Sequence, residues 1–243
     1  MNKIGLYLLA GFRTAPHFME RFRAVLHAWL EEEGWTVHSE LLFPYGDWSR
    51  GAVRQLWEIR RDIRAGMRRR RGRSIGGGRT LGSLLARERR QGEKTILIGH
   101  SGGGLAALHA AERLLALEGG DPCPVVMIGS PRVRIPDSLR RSVLYLYAGG
   151  EPASPAGPFK PADPVCRLGT FGGWTAGSRR WPLWAADKHA PAHIRALPII
   201  GGHADYFRER EPFVNAEGRS NLEITFDAVR SWLKTALQPA AVD

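Results

Sequence analysis

The chain has 243 residues, 43% hydrophobic and 24% charged, a balance that excludes wholesale disorder and suits a single α/β domain over residues 1–243. Its two cysteines, Cys123 and Cys166, exclude a disulfide framework or a C-x-x-C centre and read as ordinary buried thiols. The formal charge of +11 is mostly arginine; the lysines are Lys3, Lys94, Lys160, Lys188 and Lys234.

Ile4 to Leu9 is an apolar run too short for a membrane span, which needs about 20 residues, and reads as the first strand. With no secretory signal and no transmembrane segment, the expected location is cytoplasmic. Pro16 suits the first turn of a helix in which Phe18, Phe22, Val25, Leu26, Trp29 and Leu30 recur at helical spacing as far as Gly34. Thr36 to Leu42 predicts a second strand, stopped by Pro44-Tyr45-Gly46. A second helix is expected with Val53, Leu56, Trp57 and Ile63 on one face. It runs into the cluster Arg68 to Arg71 plus Arg73, then Gly76-Gly77-Gly78, read as a loop, before a short helix from Leu81 to Arg90. The arginine cluster fits either a polyanion site or a solvated flank. It lacks interleaved aromatics and any nucleic-acid module, so the solvated flank is preferred and no specific nucleic-acid partner is expected.

Thr95 to Ile98 reads as a third strand, apolar on both faces as a central parallel strand should be, and Leu105 to Leu117 as a helix. Val125 to Ile128 and Val143 to Tyr147 are strands four and five. Residues 149–191, rich in Pro, Gly and Trp, form a lid-like ordered insertion. Its aromatics, Phe159, Phe171, Trp174, Trp181 and Trp184, either line a pocket or give the insertion its own small core. Leu197 to Ile200 is the expected sixth strand, and Leu222, Phe226, Val229 and Leu233 mark a terminal helix. The alternation predicts a three-layer α/β sandwich, its central sheet mostly parallel with helices on both faces.

Gly99, Ser101 and Gly103 form G-x-S-x-G between an apolar strand and an Ala-rich helix. A sharp strand-to-helix turn projects the serine hydroxyl above the sheet, and glycines flank it because side chains would strike neighbouring backbone. The helix N-terminus behind it supplies N–H groups and positive potential. His203 follows the expected sixth strand in Gly201-Gly202-His203, which suits a general base at the sheet edge. His189 and His193 compete with it and together invite a metal reading. Pro191 between them and the lack of an acidic ligand motif argue against one, so no metal and no cofactor are expected. His100 and His109 read as packing residues.

The GHSGG segment resembles the nucleophile elbow of lipases and esterases in the α/β-hydrolase superfamily. That resemblance implies a triad in chain order Ser, acid, His: Ser101 as nucleophile, a carboxylate after a later strand, and His203. Asp163 is the preferred acid, in Asp-Pro-Val-Cys, which is similar to the acid loop of several hydrolases, with cutinases showing the Asp-x-Val-Cys form. Glu151, nearer the fifth strand, is its rival. The oxyanion hole is assigned to the amides of Gly102 and of Phe12, in the loop after the first strand. The implied activity is hydrolysis of a small-molecule carboxylic ester, with thioester and amide left open. A noncatalytic basic binding protein on the same scaffold is the alternative. The oligomeric state is left open.

Overall fold

The computed structural model describes residues 2–68, 71–87, 92–149, 161–176 and 181–238. Its centre is an all-parallel sheet of six strands, β1 (Lys3–Leu9), β2 (Thr36–Leu42), β3 (Glu93–His100), β4 (Val125–Ile128), β5 (Val143–Ala148) and, after a small hairpin, β8 (His193–Leu197). The spatial order is β2-β1-β3-β4-β5-β8. The chain moves outward from β1 to β2, then returns to the other side of β1 for β3. The C-terminal ends of β1 and β3 therefore send their loops in opposite directions and leave a crevice, the usual ligand position in open α/β sheets.

Alternate residues of each strand enter separate cores, as a period of two demands. Leu6, Ile98, Ile128 and Leu146 face α1 (Glu20–Glu32) and α5 (Asn221–Ala236). Leu9, Leu97, Met127 and Tyr145 face α4 (Gly102–Glu118), with α2 (Ala52–Met67) and α3 (Ile75–Leu85) beside it. Helices thus cover both faces, and the central strands are apolar on both. Among the described residues no helix is long and apolar enough to cross a membrane. Cys123 and Cys166 are not joined in a disulfide.

Four expectations need correction. Pro16 precedes α1 instead of entering it, as second residue of a turn closed by the Phe18 amide on the Ala15 carbonyl (3.0 Å). Gly76-Gly77-Gly78 is no loop but the first turns of α3, capped by Ser74, whose Oγ accepts from the Gly77 amide at 3.0 Å. Buried Asp62 fixes that end, accepting from the Ile75 and Gly76 amides (both 2.8 Å), Ser74 Oγ (2.7 Å) and Tyr45 Oη (2.8 Å). The glycines are needed for close approach. A Cβ on Gly76 would stand 2.5 Å from the Tyr45 ring, and one on Gly77 2.5 Å from His109 Cβ on α4.

The third correction concerns α2, where three of the four residues of the expected apolar face point outward and only Ile63 packs on the core. Gln55, Glu58, Ile59 and Asp62 are buried, while Val53, Leu56 and Trp57 are exposed. The fourth is the last strand, which ends at Leu197 where it was expected to begin. As an edge strand it exposes His193, Ile194 and Arg195, so hydrophobicity does not mark it. The apolar Ile199 follows it in a loop packed on the core.

The insertion after β5 holds a short helical turn at Val165–Arg167 and an antiparallel hairpin, β6 (Gly173–Thr175) with β7 (Leu183–Ala185). Its aromatics divide. Phe171 is buried edge-on to Tyr145, whereas Trp174 and Trp184 pack on each other at 5.3 Å and stay exposed. Phe159 and Glu151 lie outside the described residues, as do Arg69 and Arg70.

Candidate active site

β3 delivers the chain to Ser101, and α4 begins on the next residue. Ser101 holds φ 57° and ψ −129°, one of two non-glycine residues with positive φ among those described. Such a conformation is costly for a residue with a Cβ and persists only where the surroundings impose it. Here the Ser101 amide donates to the Ile128 carbonyl on β4 (2.9 Å), and three glycines let backbone close in around it. A Cβ on Gly99 would collide with the Gly103 backbone, one on Gly103 with the Leu9 carbonyl, and one on Gly104 with Ser130 Oγ. The glycine requirement inferred from the motif is met by these contacts.

The loop after β1 lies directly against this turn. A Cβ on Gly11 would stand 2.6 Å from Ser101 Cβ and 2.9 Å from the Gly102 amide nitrogen. Arg13, the second positive-φ residue (φ 45°), donates its amide to Gln55 Oε1 at 2.9 Å, so α2 holds the loop in place. Phe12 sits half-buried between Gly11 and Arg13. The two backbone segments assigned to an oxyanion hole therefore meet beside Ser101.

The acid and the imidazole are paired. His203 Nδ1 and Asp163 Oδ2 are 2.9 Å apart, with Asp163 fully buried. Asp163 Oδ2 also accepts from Tyr206 Oη (2.8 Å), and Oδ1 from the Val165 amide (2.8 Å). Burial pushes the Asp163 carboxyl up. The hydrogen bond and charge of His203 and the donors Tyr206 and Val165 outweigh it, holding the carboxyl below its ordinary value. Gly129, at φ 57°, makes room, since its Cβ would be 2.8 Å from both Asp163 Oδ2 and the Tyr206 ring. Tyr206 Oη in turn accepts from the Ala148 amide (2.8 Å), tying the acid to the end of β5.

His203 packs against His100, the residue that precedes Ser101. The two rings stack with centroids 4.8 Å apart and planes at 27°, and His100 Nε2 donates to the His203 carbonyl (2.9 Å). Burial, then the proximity of His203, lowers the His100 imidazole to about 3 despite that hydrogen bond. His100 is therefore neutral near pH 7 and offers His203 an uncharged ring to lie on.

The sequence reading did not find Tyr206, Gln55, Gly11 or Gly129, and gave His100 only a packing role. An aromatic three residues after a histidine carries no distinctive signal, and Gln55 belongs to a helix face expected to be solvated. Of the competing histidines, His189 packs beneath Gly173, whose Cβ would be 2.9 Å from His189 Nε2, and His193 lies edge-on to Trp232. Among the described residues no group of three or more His, Cys, Asp or Glu side chains is placed to hold a metal ion. Cys166, with Sγ 3.6 Å from Asp163 Oδ2, is no rival nucleophile: burial and the Asp163 charge raise its thiol to about 12. Compared with protein-family models and with curated proteins, the chain matches none.

Proposed function

We propose that the chain is a serine hydrolase of the α/β-hydrolase type that cleaves a small-molecule carboxylic ester through an acyl-Ser101 intermediate. One observation supports this above the rest: a serine held in a strained strand-to-helix turn, with a histidine stacked on the residue before it whose Nδ1 pairs with a buried carboxylate. Backbone strain at a residue that carries a Cβ clusters at functional sites.

In this reading the Asp163 carboxylate accepts from His203 Nδ1–H and so leaves Nε2 as the base. Ser101 Oγ attacks the substrate carbonyl carbon as its proton passes to Nε2. The amides of Gly102 and Phe12, with the N-terminus of α4 behind them, stabilise the negative oxygen that forms. The imidazolium then protonates the leaving alcohol, and Asp163 stabilises its charge meanwhile. Water repeats the sequence on the acyl-serine, its proton going to His203, and releases the acid and free Ser101. Thioesters and amides would follow the same route.

The test is hydrolysis of p-nitrophenyl esters of graded acyl length, together with labelling by a fluorophosphonate probe. Wild-type protein should label at Ser101 and turn over at least one ester. Ser101→Ala should do neither while unfolding at the same temperature. An unlabelled wild-type protein, or a Ser101→Ala variant retaining more than a small residue of activity, overturns the proposal.

A further inference from the structure

The eight tryptophans divide by layer. Trp29 and Trp232 are buried and Trp35 partly buried, all three in the core under α1 and α5. The other five belong to neither core: Trp48 and Trp57 are each 56% exposed, Trp174 60%, Trp181 79% and Trp184 48%. Tryptophan is highly buried on average, so five exposed ones need an explanation. Trp57 is on α2 and Trp48 just before it, while Trp174 and Trp184 are on β6 and β7 and Trp181 just before β7. Ile59 of α2 and Phe171, just before the β6–β7 hairpin, share one core cluster. The far end of α2 also abuts the segment after β4 that touches the insertion: a Cβ on Gly66 would stand 2.9 Å from Val133 Cβ, and the adjacent Arg132 forms an isolated bridge to Gly169.

The charge on this surface has one sign where α2 supplies it. Both carboxylates of that helix, Glu58 and Asp62, point inward and are buried. The outer face carries Val53, Leu56 and Trp57 in its first turns, then Arg60, Arg61 and Arg64, with Arg68 just past its end. The Arg61 guanidinium lies 5.5 Å over the Trp57 ring. Exposed Leu183 adds an aliphatic residue to the hairpin.

We propose that this face seats the protein on an anionic phospholipid surface, the tryptophans of α2 and the hairpin entering the headgroup layer while the α2 arginines meet lipid phosphates. Tryptophan suits a water–hydrocarbon boundary because its ring is apolar and its N–H wants a polar partner. Arginine suits phosphate through its fork of donors. An outward face mixing aliphatic, indole and guanidinium groups without carboxylates is that of an interfacial helix. A symmetric contact between two copies would bring the arginines of one α2 towards those of the other. A single-stranded nucleic acid would use the indoles and arginines but leave Val53, Leu56 and Leu183 without partners. The proposal concerns adhesion, so it stands or falls separately from the hydrolase reading.

The experiment is flotation of the full chain with phosphatidylcholine vesicles, with and without equimolar phosphatidylglycerol, while following tryptophan emission. The expected result is co-flotation and a blue shift with anionic vesicles and little of either with neutral ones. Trp48→Ser with Trp57→Ser should weaken partitioning by roughly tenfold or more. Arg60→Gln, Arg61→Gln and Arg64→Gln together should weaken it on the order of 100-fold. These side chains are exposed, so thermal midpoints should not move. The proposal is overturned by wild-type protein that stays unbound with anionic vesicles, or by tryptophan variants that partition like wild type. It is equally overturned if the same variants instead abolish binding to a single-stranded oligonucleotide or self-association.

Discussion

Asp163 gathers more of the site than its spacing in the sequence suggests. Its two oxygens accept from an imidazole, a phenol and a backbone amide, so its ionised form is held in place on every side. Asp163→Asn keeps the shape but presents an amide that can favour the wrong imidazole tautomer. The expected fall in kcat on an activated ester is about 10⁴-fold. Tyr206→Phe removes one donor to the carboxylate and the acceptor of the Ala148 amide, while His203 keeps its partner. It should cost about 1–3 kcal/mol of stability and lower kcat far less than Asp163→Asn. Urea midpoints and kcat measured side by side check both. Equal loss of activity in the two variants would show that Tyr206 does more than hold the acid. The Ser101 turn was legible in its local G-x-S-x-G motif, His203 in its place after an expected strand, and Asp163 through the resemblance of its Asp-Pro-Val-Cys loop. Tyr206 and Gln55 were not, because their value lies in partners 43 and 42 residues away.

At the scale of elements, β1, β3, β4 and β5 were readable because burial on both faces makes them almost continuously apolar, whereas the exposed edge strand β8 was not. Two helices also escaped that logic. On α2, Val53, Leu56 and Trp57 point outward while Gln55, Glu58 and Asp62 are buried, so periodicity located the helix and misjudged most of its inner face. Glu58 is tolerated inside because Arg50 Nη2 (2.6 Å) and Arg79 Nη1 (2.8 Å) meet it there. In α3 the glycines looked like a loop because glycine lowers helix propensity, yet the space against α4 admits nothing larger. This gives two substitutions of one kind with opposite outcomes. Gly82→Ala places a methyl where nothing lies within 4 Å and should stabilise the protein by about 1 kcal/mol through helix propensity. Gly77→Ala makes the same propensity gain but drives a methyl against His109 Cβ and should destabilise by about 1–3 kcal/mol net. Thermal unfolding of the pair decides it, and stabilisation by Gly77→Ala would show that α3 and α4 can move apart.

For the molecule as a whole, stability should depend on acid in two stages, set by two buried groups on opposite faces of the sheet. His100 titrates at about 3 in the folded chain against an ordinary 6.5, because burial and the neighbouring His203 disfavour its charged form. The unfolded chain therefore takes up a proton below 6.5 that the folded chain refuses. The stabilisation is complete above that pH and drains as pH falls towards 3, at about 1.4 kcal/mol per pH unit. Glu58 is the second group. Burial raises its carboxyl, but the hydrogen bonds and charges of Arg50 and Arg79 overcome this and bring it to about 2, from an ordinary 4.5. Its contribution is present above 4.5 and is lost as pH falls from there towards 2. Asp163, also held low, adds to the loss in the acid limb. The free energy of unfolding, measured by urea titration at successive pH values, should begin to fall just below pH 6.5 and fall more steeply below about 4.5. His100→Gln, which can still donate to the His203 carbonyl, should flatten the upper limb and leave the lower one. Glu58→Gln should lower stability near neutral pH, since the arginines lose their counter-charge, and flatten the lower limb alone. If His100→Gln leaves the upper slope unchanged, the protons belong to another histidine, and the neutral ring beneath His203 loses its support.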